Sequence, residues 1–526
     1  MGAHPDFFQE HRLAKRTRLL DEGIDPYPYS FSRSHTITEI IEQFEKLETG
    51  KVTVTCSGRL LSARKMGKSW FIDLIERGSR LQTYVRPGET SEPSLNLVAS
   101  IDIGDWIGVI GELFRTRTGE PTILVREMVI LGKSVADVPF GKLHDGVTSY
   151  TLANLEVRRQ KRYLDWITDP DSVKRFELRS RIISHIRRYM EEENFLEVDT
   201  PTLEMVYGGA EARPFVTKVH ALGGQSVYLN ISLELPLKRY IIGGFPKVFA
   251  LGKCFRNEGI DATHNPEFTL MEWYEAFTDY EDQMRRFENL TCYVVEKCTG
   301  SLTISFRGRE VDFTPPWKRI RIPGLIHEVF GCEYAEIDRK NLEERLDSEM
   351  TDEKLSFVGI TRDEYLAQLA TEKLGALVME IIEQELEASG RLWEPCFVCD
   401  HPRDISPLTK IKRGNPDFVE RFEPHIADFE MGNAYSELTD PVEQYERFIA
   451  QRSIDTKKDY EEHPIDMDFV HAVACGMPPT GGVGYGIDRL VMLLTGSESI
   501  RDVIPFPMRI GRETTPQTSP SDLTTT

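Results

Sequence analysis

The chain has 526 residues and no run approaching the roughly 18 apolar residues of a membrane span, which excludes an embedded helical protein. Its opening stretch, MGAHPDFFQEHRLAKRTR, lacks the apolar core of a secretory signal. Eight cysteines stand at scattered spacings. Cys396-Phe-Val-Cys399 is the single CxxC, and no second CxxC or nearby histidine pair completes a zinc set. The reading is reduced thiols in a cytoplasmic protein, with Cys396 and Cys399 on a buried strand. The chain also lacks a Walker GxxxxGK[ST] run and a GxGxxG fingerprint with a following βαβ unit, so an ordinary P-loop ATPase and a dinucleotide-binding fold are disfavoured. Positive charge is in deficit: 64 Lys and Arg against 85 Asp and Glu give a net charge of −21, which argues against wholesale nucleic-acid binding. A local basic patch stays possible, because salt screens charge beyond about 10 Å. No internal repeat is evident.

What is present is ordinary globular material, 40% apolar and 28% charged. The length exceeds one core and predicts two or three domains. Residues 1–50 read as a helical extension with Arg12, Lys15, Arg16 and Arg18 close together, either a phosphate contact or a solvated face. From 51 to 132 the pattern turns to five short strands, which suits a small Greek-key barrel of the OB type. Arg64, Lys65, Lys68, Trp70, Phe71, Gln82 and Tyr84 offer the basic and aromatic inventory of a surface that stacks bases, although barrel cores need aromatics too. Residues 133–165 form a connector. A long amphipathic helix from Val173 to Asn194 then leads to an extended segment ending at Pro201, a dimer seam or an outer layer of the core.

The densest chemistry lies in Lys247–Phe277, KVFALGKCFRNEGIDATHNPEFTLMEWYEAF. Two antiparallel strands, Val248 to Phe255 and Glu267 to Ala276, are predicted around a polar loop. Arg256 and Glu258 end the first strand, and His264 lies in the loop. Phe268, Glu272 and Tyr274 share one face of the second by period two. A strand from Val227 to Glu234 with an acidic end precedes the hairpin, followed by a helix holding Lys238 and Arg239. Residues 279–395 read as a mainly helical, charge-rich insertion. Glu423, Glu430, Asn433 and Glu437 then cluster in a short stretch of sheet, and Gly481-Gly-Val-Gly-Tyr-Gly-Ile-Asp-Arg489 opens a helix. The tail 514–526 is small and polar and reads as disordered.

These groups suit nucleotide chemistry. Glu423 and Glu430 are candidate ligands for a hard divalent cation bridging to phosphates. Arg256 and Arg489 would stabilise charge on a phosphoryl group in displacement. Phe268 and Arg489 would sandwich a purine. Three acids are left over, Glu234, Glu272 and Glu437, with Tyr274 beside them. They suit a substrate carrying two amino groups, because charge-assisted bonds to ammonium are strong.

Phe255-Arg-Asn-Glu258 with His264-Asn-Pro-Glu-Phe268 resembles motif 2 of class II aminoacyl-tRNA synthetases. Gly482-Val-Gly-Tyr-Gly-Ile-Asp-Arg489 resembles motif 3, and the helix leading to Pro201 resembles motif 1. Within the class, GGAxARPF, FRNEGI, HNPEFT and GNxxSEL resemble the bacterial-type lysyl branch, over residues 10–510. The resemblance implies an α+β fold, with an antiparallel-sheet catalytic domain at 166–513 and an N-terminal OB-type barrel that reads the anticodon. It implies ATP-dependent activation of L-lysine to lysyl-adenylate, transfer to the 3′ end of tRNA(Lys), Mg²⁺ as cofactor and a homodimer.

By the same resemblance Arg256, Glu258 and Arg489 are catalytic. ATP meets Arg256, Asn257, Glu258, His264, Asn265, Phe268, Glu430, Met431, Gly486, Ile487, Asp488 and Arg489. Lysine meets Gly209, Glu234, Arg256, Glu272, Tyr274, Asn433 and Glu437. Mg²⁺ rests on Glu423 and Glu430, and the anticodon on Arg64, Phe71, Gln82 and Glu127. Three departures stand out: Asn230-Ile-Ser-Leu-Glu234 where the family usually has RIAPE, Tyr435 where phenylalanine is common, and Asp488 in motif 3. The aspartyl and asparaginyl relatives share fold and barrel, but their position matching Glu437 resembles an arginine. A barrel-less paralogue that modifies elongation factor P conflicts with residues 51–132. A non-catalytic binding protein of this fold predicts damage to Arg256, Glu258, Glu423, Glu430 or Arg489, all of which are intact.

Overall fold

The structure, a computed structural model, describes residues 5–140, 143–144, 147–148, 152–351, 355, 361–455 and 465–508. The tail expected to be disordered lies outside these residues, as do parts of the expected connector and insertion. The chain divides into two compact units, one up to Phe176 and one spanning Glu177–Met508.

The first unit is built on a closed barrel of β1 (Thr53–Met66), β2 (Ser69–Glu76), β3 (Ser79–Val85), β4 (Trp106–Arg115) and β5 (Pro121–Gly132), in the order β1-β2-β3-β5-β4. Alternation drives it: Ile72 and Leu74 of β2 point into the core, as do Val54 and Cys56 of β1. The residues before the barrel do not form a separate extension. Leu19, Ile37, Ile40, Phe44 and Leu47 are buried in the barrel's own core. The basic cluster is largely spent internally. Arg12 is buried and donates to the Ile103 carbonyl at 2.9 Å, Lys15 pairs with Asp102 at 2.5 Å, and Arg18 pairs with Glu22 at 2.8 Å.

The second unit carries a nine-stranded sheet. Its strands are β6 (Leu196–Glu197), β7 (Lys247–Phe255), β8 (Glu267–Ala276), β9 (Lys318–Arg321), β10 (Cys396–Cys399), β11 (Arg421–Ile426), β12 (Phe429–Glu430), β13 (Gly432–Ser436) and β14 (Thr480–Gly486). They run β9-β10-β11-β13-β14-β8-β7-β6, with β12 pairing onto β11. Only the outermost pairs, β9 with β10 and β6 with β7, are parallel. The rest of the path is antiparallel, so it can pack a core on one face and leave the other to a ligand.

The core face is covered by the helix Tyr280–Thr299, whose Met284, Phe287, Leu290 and Val294 are fully buried, together with Ile182, Ile186 and Met190. Phe287 packs against Tyr485 of β14 at 4.4 Å between ring centroids. The segment 279–395 is therefore not one helical insertion. Its first helix belongs to the main core and β9 to the sheet, while the later helices Ile322–Phe330, Arg339–Glu349, Arg362–Thr371 and Leu374–Ala388 pack in a second core with Ile320 of β9 and Cys396 and Val398 of β10. Cys396 and Cys399 lie on buried β10 as free thiols, where burial pushes Cys396 up to about 12.

Candidate active site

The ligand face of the sheet opens into a cavity of about 410 Å³. Its back wall is β8. Met271 and Trp273 turn into the core, while Phe268, Leu270, Glu272 and Tyr274 line the cavity, as period two requires. Beside β8 runs β14, in register Glu272↔Gly484 and Tyr274↔Gly482. A Cβ on Gly482 would overlap the Glu437 carboxylate and the Tyr274 ring, so a glycine is required there by space. Gly209, at φ +85, closes the mouth; a Cβ there would sit 2.9 Å from the Ser232 hydroxyl.

The acids lie at the inner end. Glu272 is 4% exposed and accepts from the Ser232 hydroxyl at 2.7 Å, the Leu233 N–H at 2.8 Å and the Tyr274 hydroxyl at 3.1 Å. Among the described residues no Lys or Arg side chain pairs with it. Burial, then the charge of Glu234, push its carboxyl up to about 7. Two of those three donors come from the segment that departs from the resembled pattern. A proline at 233 has no N–H and an alanine at 232 has no hydroxyl, so Ser232 and Leu233 give Glu272 bonds the usual RIAPE would not. Asn230 is buried and donates to the Lys253 carbonyl at 3.0 Å.

Glu234 was expected at a strand's acidic end; it is instead the first residue of the helix Glu234–Ile242, after a strand that stops at Leu229. The Ser232 hydroxyl accepts the Glu234 N–H at 3.1 Å, which turns the chain into the helix. Tyr435, where phenylalanine is common, donates its hydroxyl to Glu234 at 2.6 Å. Burial, then the nearby carboxylates, push the phenols of Tyr274 and Tyr435 well up, so both remain neutral donors.

Glu437, expected at lysine, lies with its carboxylate against Gly482 and Tyr274, which line the cavity, though Glu437 itself is not in that lining; its side chain is fully buried and ion-paired to Lys238. Lys238 also pairs with Glu234 at 2.5 Å. Sequence reasoning gave Lys238 no role, although its i,i+4 spacing from Glu234 on a helix was a usable signal. Ser232 was given no role either, although it lies in the segment Asn230–Glu234 that departs from the resembled RIAPE.

The outer end of the cavity holds the cationic groups. Arg256 lies over the Phe268 ring at 5.1 Å, and its Nε reaches the Ile231 carbonyl at 3.4 Å. Arg489 bonds the Glu430 backbone carbonyl and lies 3.4 Å from the Glu430 carboxylate and 3.3 Å from His264 Nε2. Phe268 thus has Arg256 as its cation neighbour. Glu258, His264, Asn265, Glu430, Met431, Asn433 and Gly486 also line the cavity. Asn433 presents its amide oxygen to Arg421 Nε at 3.0 Å.

Two residues expected at ATP lie elsewhere: Asn257 is exposed outside the lining, and Ile487 is fully buried in the core. Asp488 borders the cavity but is spent on structure. It accepts the Thr269 N–H at 2.6 Å and pairs with Arg179 at 2.6 Å, tying the helix Ile487–Thr495 to β8.

For a metal, Glu423 and Glu430 lie on β11 and the adjoining β12, Glu430 opposite His425. Burial would protonate Glu423, but His401 and Arg421 beside it outweigh this and hold it well below the usual carboxylate range. Arg421 reaches it at 2.6 Å. Among the described residues no three His, Cys, Asp or Glu groups could hold an ion by themselves. Carboxylate oxygens suit Mg²⁺, which keeps waters and takes phosphate oxygens; Glu430 lines the cavity, and Glu423 does not.

On the barrel, Arg64, Phe71, Tyr84 and Leu124 stand opposite one another across β1, β2, β3 and β5. Phe71 and Tyr84 stack at 4.6 Å, and Arg64 lies 3.6 Å from buried Asp73. Gln82 is buried, accepting from Thr122 at 3.1 Å, and Glu127 is exposed on β5 past a register shift.

Comparison with known proteins agrees with this geometry. Residues 154–510 match the family model of class II tRNA synthetases (D, K and N), and residues 54–131 match that of an OB-fold nucleic acid binding domain. The chain is 43% identical to the lysine–tRNA ligase of Fervidobacterium nodosum over 505 residues, covering 95% of this chain and 94% of the relative. It is 42% identical to that of Shouchella clausii over 507 residues (95% and 96%), and 41% identical to that of Clostridium novyi over 500 residues (95% and 93%). With an acid-walled cavity on an antiparallel sheet and near-complete coverage of these relatives, the chain belongs to the class II tRNA synthetases and, within them, to the lysine–tRNA ligase family.

Proposed function

We propose that the cavity activates L-lysine with ATP and passes the lysyl group to tRNA(Lys). The observation that carries the choice of amino acid is Glu272: a buried carboxylate on the cavity wall with three hydrogen-bond donors and, among the described residues, no paired cation. Lysine's ammonium groups supply the missing charge, with Glu234 as the second acid and Tyr274 as a neutral donor. An uncharged competitor would leave these buried groups unpaired.

In the first step a lysine carboxylate oxygen attacks the ATP α-phosphorus. The new C–O–P link forms, the bond to the β-phosphate oxygen breaks, and pyrophosphate leaves. Arg256, over Phe268, holds the carboxylate and α-phosphate together. Arg489, oriented by Glu430, faces the outer phosphates with His264. Both stabilise negative charge as it spreads over the phosphoryl group. Phe268 offers its ring to the adenine. Mg²⁺, held by Glu423 and Glu430, would neutralise phosphate charge when bound. In the second step the 3′-terminal ribose hydroxyl attacks the acyl carbon, loses its proton, and AMP leaves.

The barrel supports anticodon binding through Arg64, Phe71, Gln82 and Glu127, with Phe71 and Tyr84 as a stacking platform. The two-residue edge strand β6, with Leu196 about half exposed, and the nearby half-exposed Leu203 after Pro201 support a homodimer seam. A cytoplasmic location completes the reading, and among the described residues no helix is long and apolar enough to cross a membrane. ATP–pyrophosphate exchange with each amino acid in turn tests the core of it. Lysine alone is expected to support exchange; exchange with aspartate and not lysine overturns the assignment.

A further inference from the structure

Lys238 is fully buried, carries a charge, and takes no part in the chemistry above. Its ammonium is clamped between Glu234, at 2.5 Å, and Glu437. Three aromatic rings surround it: Tyr435 of β13 at 5.6 Å, Phe469 of the helix Met467–Ala474 at 5.9 Å, and Tyr274 of β8 at 6.0 Å. Glu272 of β8 is the remaining ionisable group facing this set. The neighbouring Arg239 turns away to Asp466 and Asp468. Glu437 has no cation other than Lys238 among the described residues, and its Oε1 has no hydrogen-bond donor.

We propose that Lys238 is a specificity-positioning residue whose ammonium holds the Glu234 and Glu437 carboxylates in place, setting the pocket's charge for an amino acid with two ammonium groups. The inference rests on lysine being the substrate. Three carboxylates, Glu234, Glu272 and Glu437, less one ammonium, Lys238, leave two unit negative charges. The α- and ε-ammonium groups of lysine match them. Without the Lys238 charge, three buried carboxylates would face one another, and one would take up a proton and lose its attraction for the substrate. Burial lifts the Glu437 carboxyl well above the usual carboxylate range, Glu234 and Glu272 add to the lift, and Lys238 opposes it. Burial alone would strip the proton from Lys238; the two carboxylates outweigh it and hold its pKa up.

Lysine-dependent exchange in the full-length protein tests this with Lys238→Met, Lys238→Arg and the double variant Lys238→Met/Glu437→Gln, from pH 6.5 to 9. In the wild type kcat/KM for lysine should level off above about pH 8. In Lys238→Met it should fall tenfold or more at pH 7.5, with KM for ATP unchanged, and keep rising to pH 9 as the protonated acid is titrated. Lys238→Arg keeps the cation and should keep the wild-type profile, whatever its absolute rate. The double variant removes both charges, should fold even where Lys238→Met does not, and should be slow without the alkaline rise. An unshifted profile in Lys238→Met, or the same alkaline rise in the double variant, overturns the role of Lys238. Absence of lysine-dependent exchange in the wild type would instead overturn the substrate assignment.

Discussion

Glu272 should make lysine recognition titrate in the neutral range. An ordinary glutamate is fully ionised by pH 6, but burial and then the Glu234 charge push this one up to about 7. The sign follows from which form binds: ammonium needs the carboxylate, so affinity is lost as pH falls through the raised value. With a transition near 7, about one molecule in eleven is ionised at pH 6 and about ten in eleven at pH 8, a ratio of about ten or roughly 1.4 kcal/mol. Lysine's own ammonium groups stay protonated over this range. kcat/KM for lysine in ATP–pyrophosphate exchange, which reports the free enzyme, should therefore rise about tenfold between pH 6 and 8. Glu272→Gln should be slow and flat. Ser232→Ala removes the 2.7 Å donor to Glu272 and should move the transition to higher pH. A wild-type profile flat from pH 6 to 8, or a slope that survives in Glu272→Gln, refutes the reasoning.

Gly482→Ala would drive a methyl into the Glu437 carboxylate and the Tyr274 ring. Overpacking of about 1 to 3 kcal/mol should appear as a 10- to 100-fold loss in kcat/KM for lysine; a near-normal value would mean the wall is soft. Asp488→Ala leaves Arg179, 7% exposed, as a buried cation without its partner. Chemical denaturation should show a loss of about 3 to 5 kcal/mol, and a loss under about 1 would refute the anchoring role. Phe71→Ala removes half of the stacked pair on the barrel. It should raise KM for tRNA about tenfold, since stacking contributes about 1 to 3 kcal/mol per base, while lysine-dependent exchange, which needs no tRNA, keeps its rate.

The sequence by itself determined the local chemistry. The hairpin β7–β8 was legible because its groups are near neighbours in the chain, and period two alone puts Phe268, Glu272 and Tyr274 on one face. The five barrel strands were legible for the same reason, since alternation and turn residues are written locally. That the helices of residues 1–50 pack into the barrel core, and that 279–395 is divided between cores, was not legible because both depend on which core an amphipathic helix finds.

Only the tertiary structure decided how the acids are shared. Tyr435 meets Glu234 across 201 residues of chain, and Glu437 sits against Gly482 with Lys238 as its ion-pair partner. Asp488, expected at ATP, borders the cavity and also holds Arg179. A buried charge takes whichever partner the packing brings within reach, because leaving it unpaired costs several kcal/mol, and that partner is set by how the strands assemble. The residue types announced a pocket for a cationic amino acid and a nucleotide; the packing decided which carboxylate, Glu272, was left without a cation.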